Sequence, residues 1–339
     1  MLKKIPLIIF STAGLLCGLV ACGNTTQVAS PTPESEPTVE QQPEDIIEKK
    51  VEDEIAIEKE TNGEAENLNR SDEVAPEQTP SRRLVVIGED FVLADVLAMG
   101  VVPIAATATL NDKFTGIERD TTGIQPLPST EANFELLASL KPDSIITTEN
   151  ILNYVDQDLL DGIAPTSVIS GEGWRERVMS LGEILNAPSQ ADALLADYDL
   201  AISNAKAELS GDISVSLATI YPGSNIAVWV DGPSNIPQTI LDMGIELFPG
   251  INSYSSAMNG RAYISIEKIG DLSSPIIILS QSTSVEGEDE SLRNVQDNSL
   301  WKNLPAVTSG KVSTIDRLGY PGVEGRIRLI NDLVGTILE

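Results

Sequence analysis

Two glutamates stand at the start of two similar segments in this chain of 339 residues. Glu135 lies in "NFELLASLKPDSIIT" (133–147) and Glu267 in "SIEKIGDLSSPIIIL" (265–279), each followed at the same offsets by a leucine and an Ile-Ile pair. The helix dipole stabilises a carboxylate in a first helical turn, and an exposed carboxylate can pair with a cation of a partner protein. The pattern leaves both interpretations open: two helix starts, or two docking acids.

A second group of side chains combines arginine with aromatic rings at the predicted ends of strands. Guanidinium groups bind oxygen atoms in a fixed geometry, and aromatic rings cover apolar surface. The carboxyl ends of parallel strands are where open α/β sheets bind ligands. The candidates are Glu89, Phe91, Asn111, Tyr154, Trp174, Arg175, Tyr221, Trp229, Tyr254, Arg261, Tyr263, Arg317 and Tyr320.

Arg317 and Tyr320 are the preferred candidates, because their loop follows the last predicted strand. Trp229 lies inside an apolar strand, which is equally compatible with a core position. Trp301 is interpreted as core, and Arg326 and Arg328 as solvated positions of the final helix.

The composition excludes several kinds of protein. The chain has no histidine, which removes His-based catalytic triads and haem ligation by histidine. Its formal charge of −29 argues against nucleic acid as a partner, because nucleic-acid binding needs a basic surface. There is also no P-loop or nucleophile motif. We therefore expect no enzymatic activity, no cofactor and no metal held directly by the protein.

The N-terminus carries the pattern of a secretory signal. Lys3 and Lys4 precede an apolar run that ends in "LVAC", at Cys22. This ending resembles the lipobox of bacterial lipoproteins, which implies a signal peptide at 1–22 and a lipid on Cys22. Residues 23–83 are acidic and rich in Pro, Glu, Thr, Gln and Ser, which predicts a disordered tether. The protein is then extracytoplasmic and anchored to the membrane.

Strands alternate with helices from Leu84 onwards, which predicts an α/β fold. We expect two βαβ lobes with parallel-type sheets, joined by a long connecting helix, with a ligand cleft between the lobes. The predicted divisions are an N-terminal lobe at 84–170, a connecting helical region at 171–210 and a C-terminal lobe at 211–339.

The order of four segments resembles one family. They are "NFELLASLKPDSII", "SLGEILNAPSQADALLADYD", "DGPSNIPQTILDMGI" and "LWKNLPAVTSGKV". From Leu84 to the C-terminus the chain is similar to the periplasmic binding proteins of iron-siderophore and cobalamin ABC importers, closest to the ferric hydroxamate-binding group. The resemblance implies a monomer that captures a ferric chelate between its lobes and delivers it to the transmembrane subunits of an ABC permease.

The same resemblance gives roles to residues. Glu135 and Glu267 match the family's two glutamates that dock onto permease arginines. The implied ligand-binding side chains are Arg317, Tyr320, Arg261, Tyr221, Trp174, Tyr154 and Trp229. One departure is the neighbourhood "PLPSTEAN", which lacks the arginine that hydroxamate binders place before this motif. Together with the acidic composition, this favours a neutral or cationic chelate.

The sequence leaves three alternatives open. They are a binding protein whose ligand is a corrinoid or another metal chelate, an envelope enzyme that uses carboxylate-bound metal, and an adhesion module on an acidic stalk. The repeated glutamate segment and the connecting helix argue against adhesion, because adhesion needs neither.

Overall fold

The computed structural model describes residues 82–110, 113–128, 133–250, 253–254, 257 and 260–338. The predicted signal, Cys22, nearly all of the predicted tether and the candidate Asn111 lie outside the described residues. All of the described residues belong to one compact unit, Glu73–Glu339.

The first lobe contains a five-stranded, all-parallel sheet. Its strands are β1 (Leu84–Ile87), β2 (Ala105–Thr107), β3 (Gln125–Leu127), β4 (Ser144–Thr148) and β5 (Thr166–Ile169). Their spatial order is β3-β2-β1-β4-β5. The accompanying helices are α1 (Asp90–Ala98), α2 (Phe134–Ser139) and α3 (Gln157–Asp161), with a 3₁₀ helix at Ile151–Asn153.

Two helices lead out of the first lobe, α4 (Trp174–Leu185) and α5 (Pro188–Glu208). The chain turns between them at Asn186, whose φ of 57° is left-handed, and Pro188 then occupies the first position of α5. Proline is favoured there because its missing N–H would have no partner inside the helix. The predicted long connecting helix is therefore α5.

The second lobe contains a mixed six-stranded sheet with helices packed against it. Its strands are β6 (Ser214–Tyr221), β7 (Asn225–Trp229), β8 (Glu246–Leu247), β9 (Arg261–Ile264), β10 (Ile276–Gln281) and β11 (Val312–Asp316). The helices are α6 (Asn235–Asp242), α7 (Glu288–Gln296), α8 (Ser299–Lys302), α9 (Pro305–Thr308) and α10 (Gly322–Leu338), with a 3₁₀ helix at Ile266–Asp271.

The second sheet differs from the predicted parallel type in one half. The path is β11-β10-β6-β7-β9, with β6, β10 and β11 parallel but β7 antiparallel to both β6 and β9. The cause is local: Gly223 and Ser224 have φ of 80° and 60°. This tight turn sends the chain straight back as a hairpin, where a βαβ unit would have needed a helix.

The repeated segments occupy equivalent places in the two sheets. In the first lobe β4 pairs with β1 on one side and β5 on the other. In the second lobe β10 pairs with β6 and β11 in the same way. Glu135 and Glu267 lie in the helix that precedes each of these strands, although the second is a 3₁₀ helix and not the expected α-helix.

The apolar side chains form two outer clusters and one shared inner cluster. In β4, Ile145 faces the outer cluster of its lobe and Ile146 the inner one; in β10, Ile277 and Ile278 divide in the same way. The inner cluster draws on both sheets and on α1, α4, α5, α6 and α10. A continuous core therefore joins the lobes, and α10 packs against α1, α5 and α6.

Candidate ligand cleft

A cleft with two adjoining compartments lies where the lobes meet. The larger compartment has a volume of about 330 Å³ and the smaller about 140 Å³. Both are lined by Ser234, Asn235 and Ile236 at the start of α6, and by Arg317 after β11. These shared side chains make the two compartments parts of one site.

The first-lobe wall begins where β1 ends, at Glu89 and Asp90. Glu89 accepts hydrogen bonds from Thr148 Oγ1 (2.9 Å) and Asn150 Nδ2 (2.8 Å), both at the end of β4. Asp90 accepts one from the Thr109 hydroxyl. Burial raises the pKa of Asp90, and the neighbouring Glu89 charge adds to the rise. Neutral donors hold both carboxylates, which leaves their charge uncompensated by direct ion pairs among the described residues.

Asp95, one turn further along α1, also lines the larger compartment and is only 4% exposed. Its Oδ1 accepts a hydrogen bond from Val323 N (2.8 Å) at the start of α10. Burial raises the pKa of Asp95 to about 7, although this hydrogen bond and the Arg326 charge both oppose the rise. Asp95 is therefore a lobe-to-lobe contact and a titratable group in the cleft.

The prediction that Arg326 is a solvated position of the final helix is wrong, because the side chain is only 2% exposed. Its Nη2 donates to Asn235 Oδ1 (2.7 Å) and Gln238 Oε1 (3.0 Å), and its guanidinium lies 4.3 Å from the Trp174 ring centroid. Burial lowers the pKa of Arg326 to about 10. The side chain thus fixes the start of α6, the wall common to both compartments, against the start of α4.

The smaller compartment uses one face of the second sheet, where loops at strand ends were expected. Trp229 is in register with Arg261 and with Leu217, and Tyr221 lies four residues beyond Leu217, so their side chains share a face. Arg261 Nη1 donates to Tyr221 Oη (3.1 Å), and its guanidinium lies 5.2 Å from the Trp229 ring centroid. Among the described residues, no carboxylate forms an ion pair with Arg261.

Arg317 reaches both compartments from the end of β11. Its Nη2 lies 2.5 Å from Oε1 of Glu288, whose side chain is fully buried at the start of α7. The other Glu288 oxygen accepts from Ser282 N (2.9 Å). The Arg317 guanidinium lies 5.3 Å from the Tyr221 ring centroid. A buried carboxylate therefore fixes the arginine against an aromatic side chain of the cleft.

Comparison with known proteins identifies the family. The family model described as "Periplasmic binding protein" matches residues 85–317. The chain belongs to this family. Two Bacillus subtilis (strain 168) relatives are "Probable siderophore-binding lipoprotein YfiY", 26% identical over 76% of this chain and 81% of that protein, and "Fe(3+)-citrate-binding protein YfmC", 28% identical over 70% and 74%.

Solved structures share the fold of this periplasmic binding protein. Staphylococcus aureus SirA complexed with staphyloferrin B has a TM-score of 0.64 at 19% identity, covering 77% of this chain and 94% of that one. Staphylococcus aureus FhuD2 with bound ferrioxamine B has a TM-score of 0.61 at 17% identity, covering 76% and 98%. The predicted family and two-lobed α/β fold are confirmed.

Most of the predicted ligand-binding side chains of this periplasmic binding protein meet in the cleft. Trp174 and Tyr320 line the larger compartment, Tyr221, Trp229 and Arg261 the smaller one, and Arg317 both. Tyr154 does not join them: it is 84% exposed, directly after the 3₁₀ helix that follows β4. Tyr320 contributes its ring to the cleft and not its hydroxyl, because the hydroxyl donates to Asp332 Oδ2 (2.8 Å).

The other candidates fall into two groups, those that line the cleft and those that are paired with other side chains of the protein. Glu89 and Phe91 line the larger compartment. Arg175 forms an ion pair with Asp199, and the hydroxyl of Tyr254 donates to Asp271 Oδ2 (2.6 Å). Trp301 is core, as predicted, at 3% exposed. Sequence reasoning missed Asp95, Arg177, Asn235, Glu288 and Arg326.

Glu135 and Glu267 are both exposed and neither lines the cleft. The Ser265 hydroxyl hydrogen-bonds to the Glu267 carboxylate and lowers its pKa. In α2 it is Asn133, not Glu135, that caps the helix, accepting from Leu136 N (2.9 Å). Among the described residues, no group of three or more Cys, Asp or Glu could hold a metal ion, and no helix is long and apolar enough to cross a membrane.

Proposed function

We propose that this protein captures a ferric siderophore in the cleft between its lobes and delivers it to an ABC permease. The observation that carries the proposal is the cleft itself, where Arg261 and Arg317 meet the aromatic side chains Tyr221 and Trp229 between two α/β lobes. Curated relatives named for siderophore, ferric citrate and hydroxamate binding support the ligand class.

The side chains suit a ferric chelate for physical reasons. Guanidinium groups donate hydrogen bonds to the iron-ligating oxygens, and aromatic rings cover the carbon skeleton of the ligand. The iron is already coordinated by the siderophore, so the protein needs no metal ligands of its own. Binding occurs without turnover.

The proposal extends to two partners. Glu135 and Glu267 would dock onto arginines of the two transmembrane subunits, one per lobe, while the binding protein itself acts as a monomer. Their exposure outside the cleft leaves them accessible to a partner when ligand is bound. The acids contact the permease, not the ligand.

A lipid on Cys22 would anchor the protein to the membrane on the extracytoplasmic side. Cys22→Ser should release the protein from membranes or leave its signal uncleaved. Membrane fractionation with mass spectrometry of the N-terminus measures both. A variant that stays with membranes after complete signal removal contradicts the anchor.

The deciding experiment is a thermal-shift and calorimetry panel of ferric hydroxamates, ferric catecholates, ferric citrate, haem and cobalamin. A ligand at 100 times its Kd should add roughly 2.7 kcal/mol of stability. We expect a ferric chelate to raise the melting temperature most. A response to cobalamin alone would move the proposal to the corrinoid class, and no binding to any of these ligands would overturn it.

A further inference from the structure

The two compartments of the cleft differ in chemistry. The smaller one presents two guanidinium groups and two aromatic rings. The larger one, more than twice its volume, is bounded mainly by apolar side chains. They come from both lobes and from α4: Phe91, Val92, Trp174, Val178, Leu181 and Ile236.

This apolar compartment ends at a buried polar group with an unused acceptor. Asp95 is 4% exposed and lines the compartment. Its Oδ1 accepts from Val323 N, and its Oδ2 has no hydrogen-bond partner among the described residues. A ligand group that donates to this free oxygen would gain a hydrogen bond to a carboxylate at the wall of the compartment.

We propose that the ligand is an asymmetric ferric chelate, with its iron centre in the smaller compartment and a flexible, apolar arm tipped by a hydrogen-bond donor in the larger one. The arm would lie along Trp174 and Val178, and its terminal N–H or O–H would donate to Asp95. This inference rests on the proposed function and narrows its ligand class to linear chelates with a free arm.

The charges around Asp95 fit a donor at the tip of the arm. Arg326 faces it from α10 and lowers its pKa, whereas Glu324 on the same helix raises it. Glu89 and Asp90 add negative charge along the wall, and Arg177 lines the same compartment from α4. Arg177 donates to Gly171 O (3.4 Å) and lies 5.9 Å from the Phe91 ring centroid, so it is held by the protein itself.

The first test compares two ferric trihydroxamates on the full-length protein. Ferrioxamine B is linear and carries a free aminopentyl arm, whereas ferrioxamine E is macrocyclic and has no arm. Titrations at pH 8, above the pKa of about 7 at which Asp95 loses its proton, follow quenching of tryptophan fluorescence and give both Kd values. A hydrogen bond to a charged group corresponds to roughly a tenfold or larger change in Kd, so ferrioxamine B should bind at least about tenfold more tightly.

Two substitutions locate the effect. Val178→Phe fills the larger compartment, and Met179→Phe, at the exposed neighbouring position, is its control. Asp95→Asn places a donor where the arm needs an acceptor, and Asp192→Asn makes the same charge change at an exposed position of α5. Val178→Phe and Asp95→Asn should each weaken ferrioxamine B about tenfold and leave ferrioxamine E within about threefold.

Equal affinity of the wild type for both chelates would overturn the arm compartment. So would an equal loss for both chelates in Val178→Phe, or an equal effect of Met179→Phe. These outcomes leave siderophore capture standing. If the wild type binds neither ferrioxamine nor any other ferric chelate of the panel, the proposed function fails and the arm compartment fails with it.

Discussion

The two lobes are alike in their glutamate-bearing helices and the strands that follow them, and they differ in the walls that they present to the cleft. Each has a glutamate-bearing helix followed by a strand next to the sheet edge, which pairs with the strands of that lobe that come first and last in the chain. Facing the cleft, they diverge: the first lobe offers carboxylates at the start of α1, and the second offers arginines and aromatic rings on a sheet face and after β11.

The β6–β7 hairpin is the source of this divergence. In the first lobe all strands run parallel, and the lobe reaches the cleft through the ends of strands and through α1. In the second lobe β7 and β9 extend the sheet and bring Trp229 and Arg261 alongside Tyr221. The likeness suits a partner with two similar docking sites, and the difference suits a ligand with two unlike ends.

The largest expected effect tests the likeness. If the proposed docking is right, Glu135→Arg combined with Glu267→Arg should reduce uptake and ligand-stimulated ATPase in a reconstituted transporter by more than about tenfold, because each reversal would set a cation against a permease arginine. Folding and ligand Kd should stay unchanged, since neither acid lines the cleft.

Each single reversal should give an intermediate loss, since one lobe still docks. The control is Glu149→Arg, an exposed acid outside the repeated helix starts. Normal uptake with a lowered melting temperature in the double reversal would mean that these glutamates are only helix starts.

The second prediction concerns the wall that only the second lobe has. Glu288→Gln should lower the free energy of unfolding by about 1.5–3 kcal/mol, because it replaces the charge-assisted hydrogen bonds between Arg317 and its buried partner by neutral ones. Glu324→Gln removes the charged partner of the exposed Arg119 and should cost only about 0–1 kcal/mol. Urea denaturation of both variants checks the contrast. Equal losses would show that the Glu288 pair is not specially stabilising.

Local patterns predicted the elements well where the signal was continuous. The sequence itself predicts strands at 144–148 and 214–221 and a helix at 174–185, because apolar runs and helical spacing are uninterrupted there, and β4, β6 and α4 have these bounds. β9 is not among the predicted strands: Arg261 and Tyr263 are predicted to lie at strand ends, although they alternate with apolar residues within the strand. The alternation of polar and apolar residues was the signal that could have predicted this strand.

Partners distant in the chain could not be predicted. Arg326 lies on an amphipathic helix, where an arginine is usually solvated; its burial depends on Asn235 and Trp174, about 90 and 150 residues away. Asp95 meets Val323 across 228 residues. Glu288 lies in an acidic stretch that suggests solvent, and only the fold places it against Arg317.

The third prediction follows from the pKa of Asp95, about 7 against a usual value of 3.8. A folded-state pKa that is raised keeps the proton bound in the folded protein, so stability falls as pH rises from about 4 to about 7 and is constant above that. The Asp95→Asn variant has no carboxyl group to titrate at this position, so its stability does not fall in this way. Relative to the wild type, the variant should gain about 2–3 kcal/mol between pH 5 and pH 8.

Urea denaturation at both pH values measures this difference. Asp90→Asn is an instructive companion, because burial also raises the pKa of Asp90, although that residue is less buried. A variant-minus-wild-type difference that does not change with pH would show that Asp95 titrates normally.

The smallest expected effect is a very small change in the distance between the two lobes when ligand binds. The inner apolar cluster takes side chains from both lobes, and Asp95 and Arg326 add buried polar contacts between α1, α6 and α10. Opening the lobes would expose this shared core, whereas two lobes linked by a hinge alone would move freely. We therefore expect the distance between lobes to change by less than ~2 Å on ligand binding. The only cysteines, Cys17 and Cys22, lie in the predicted signal and its lipobox. Spin labels can therefore be placed at Leu159→Cys and Leu300→Cys, exposed positions on the two lobes, in a background that carries both Cys17→Ser and Cys22→Ser. Pulsed electron resonance with and without saturating ferric chelate then reads one distance. A clear shift to shorter distances with ligand would mean that the shared core slides or opens, and the capture step would have to include lobe closure.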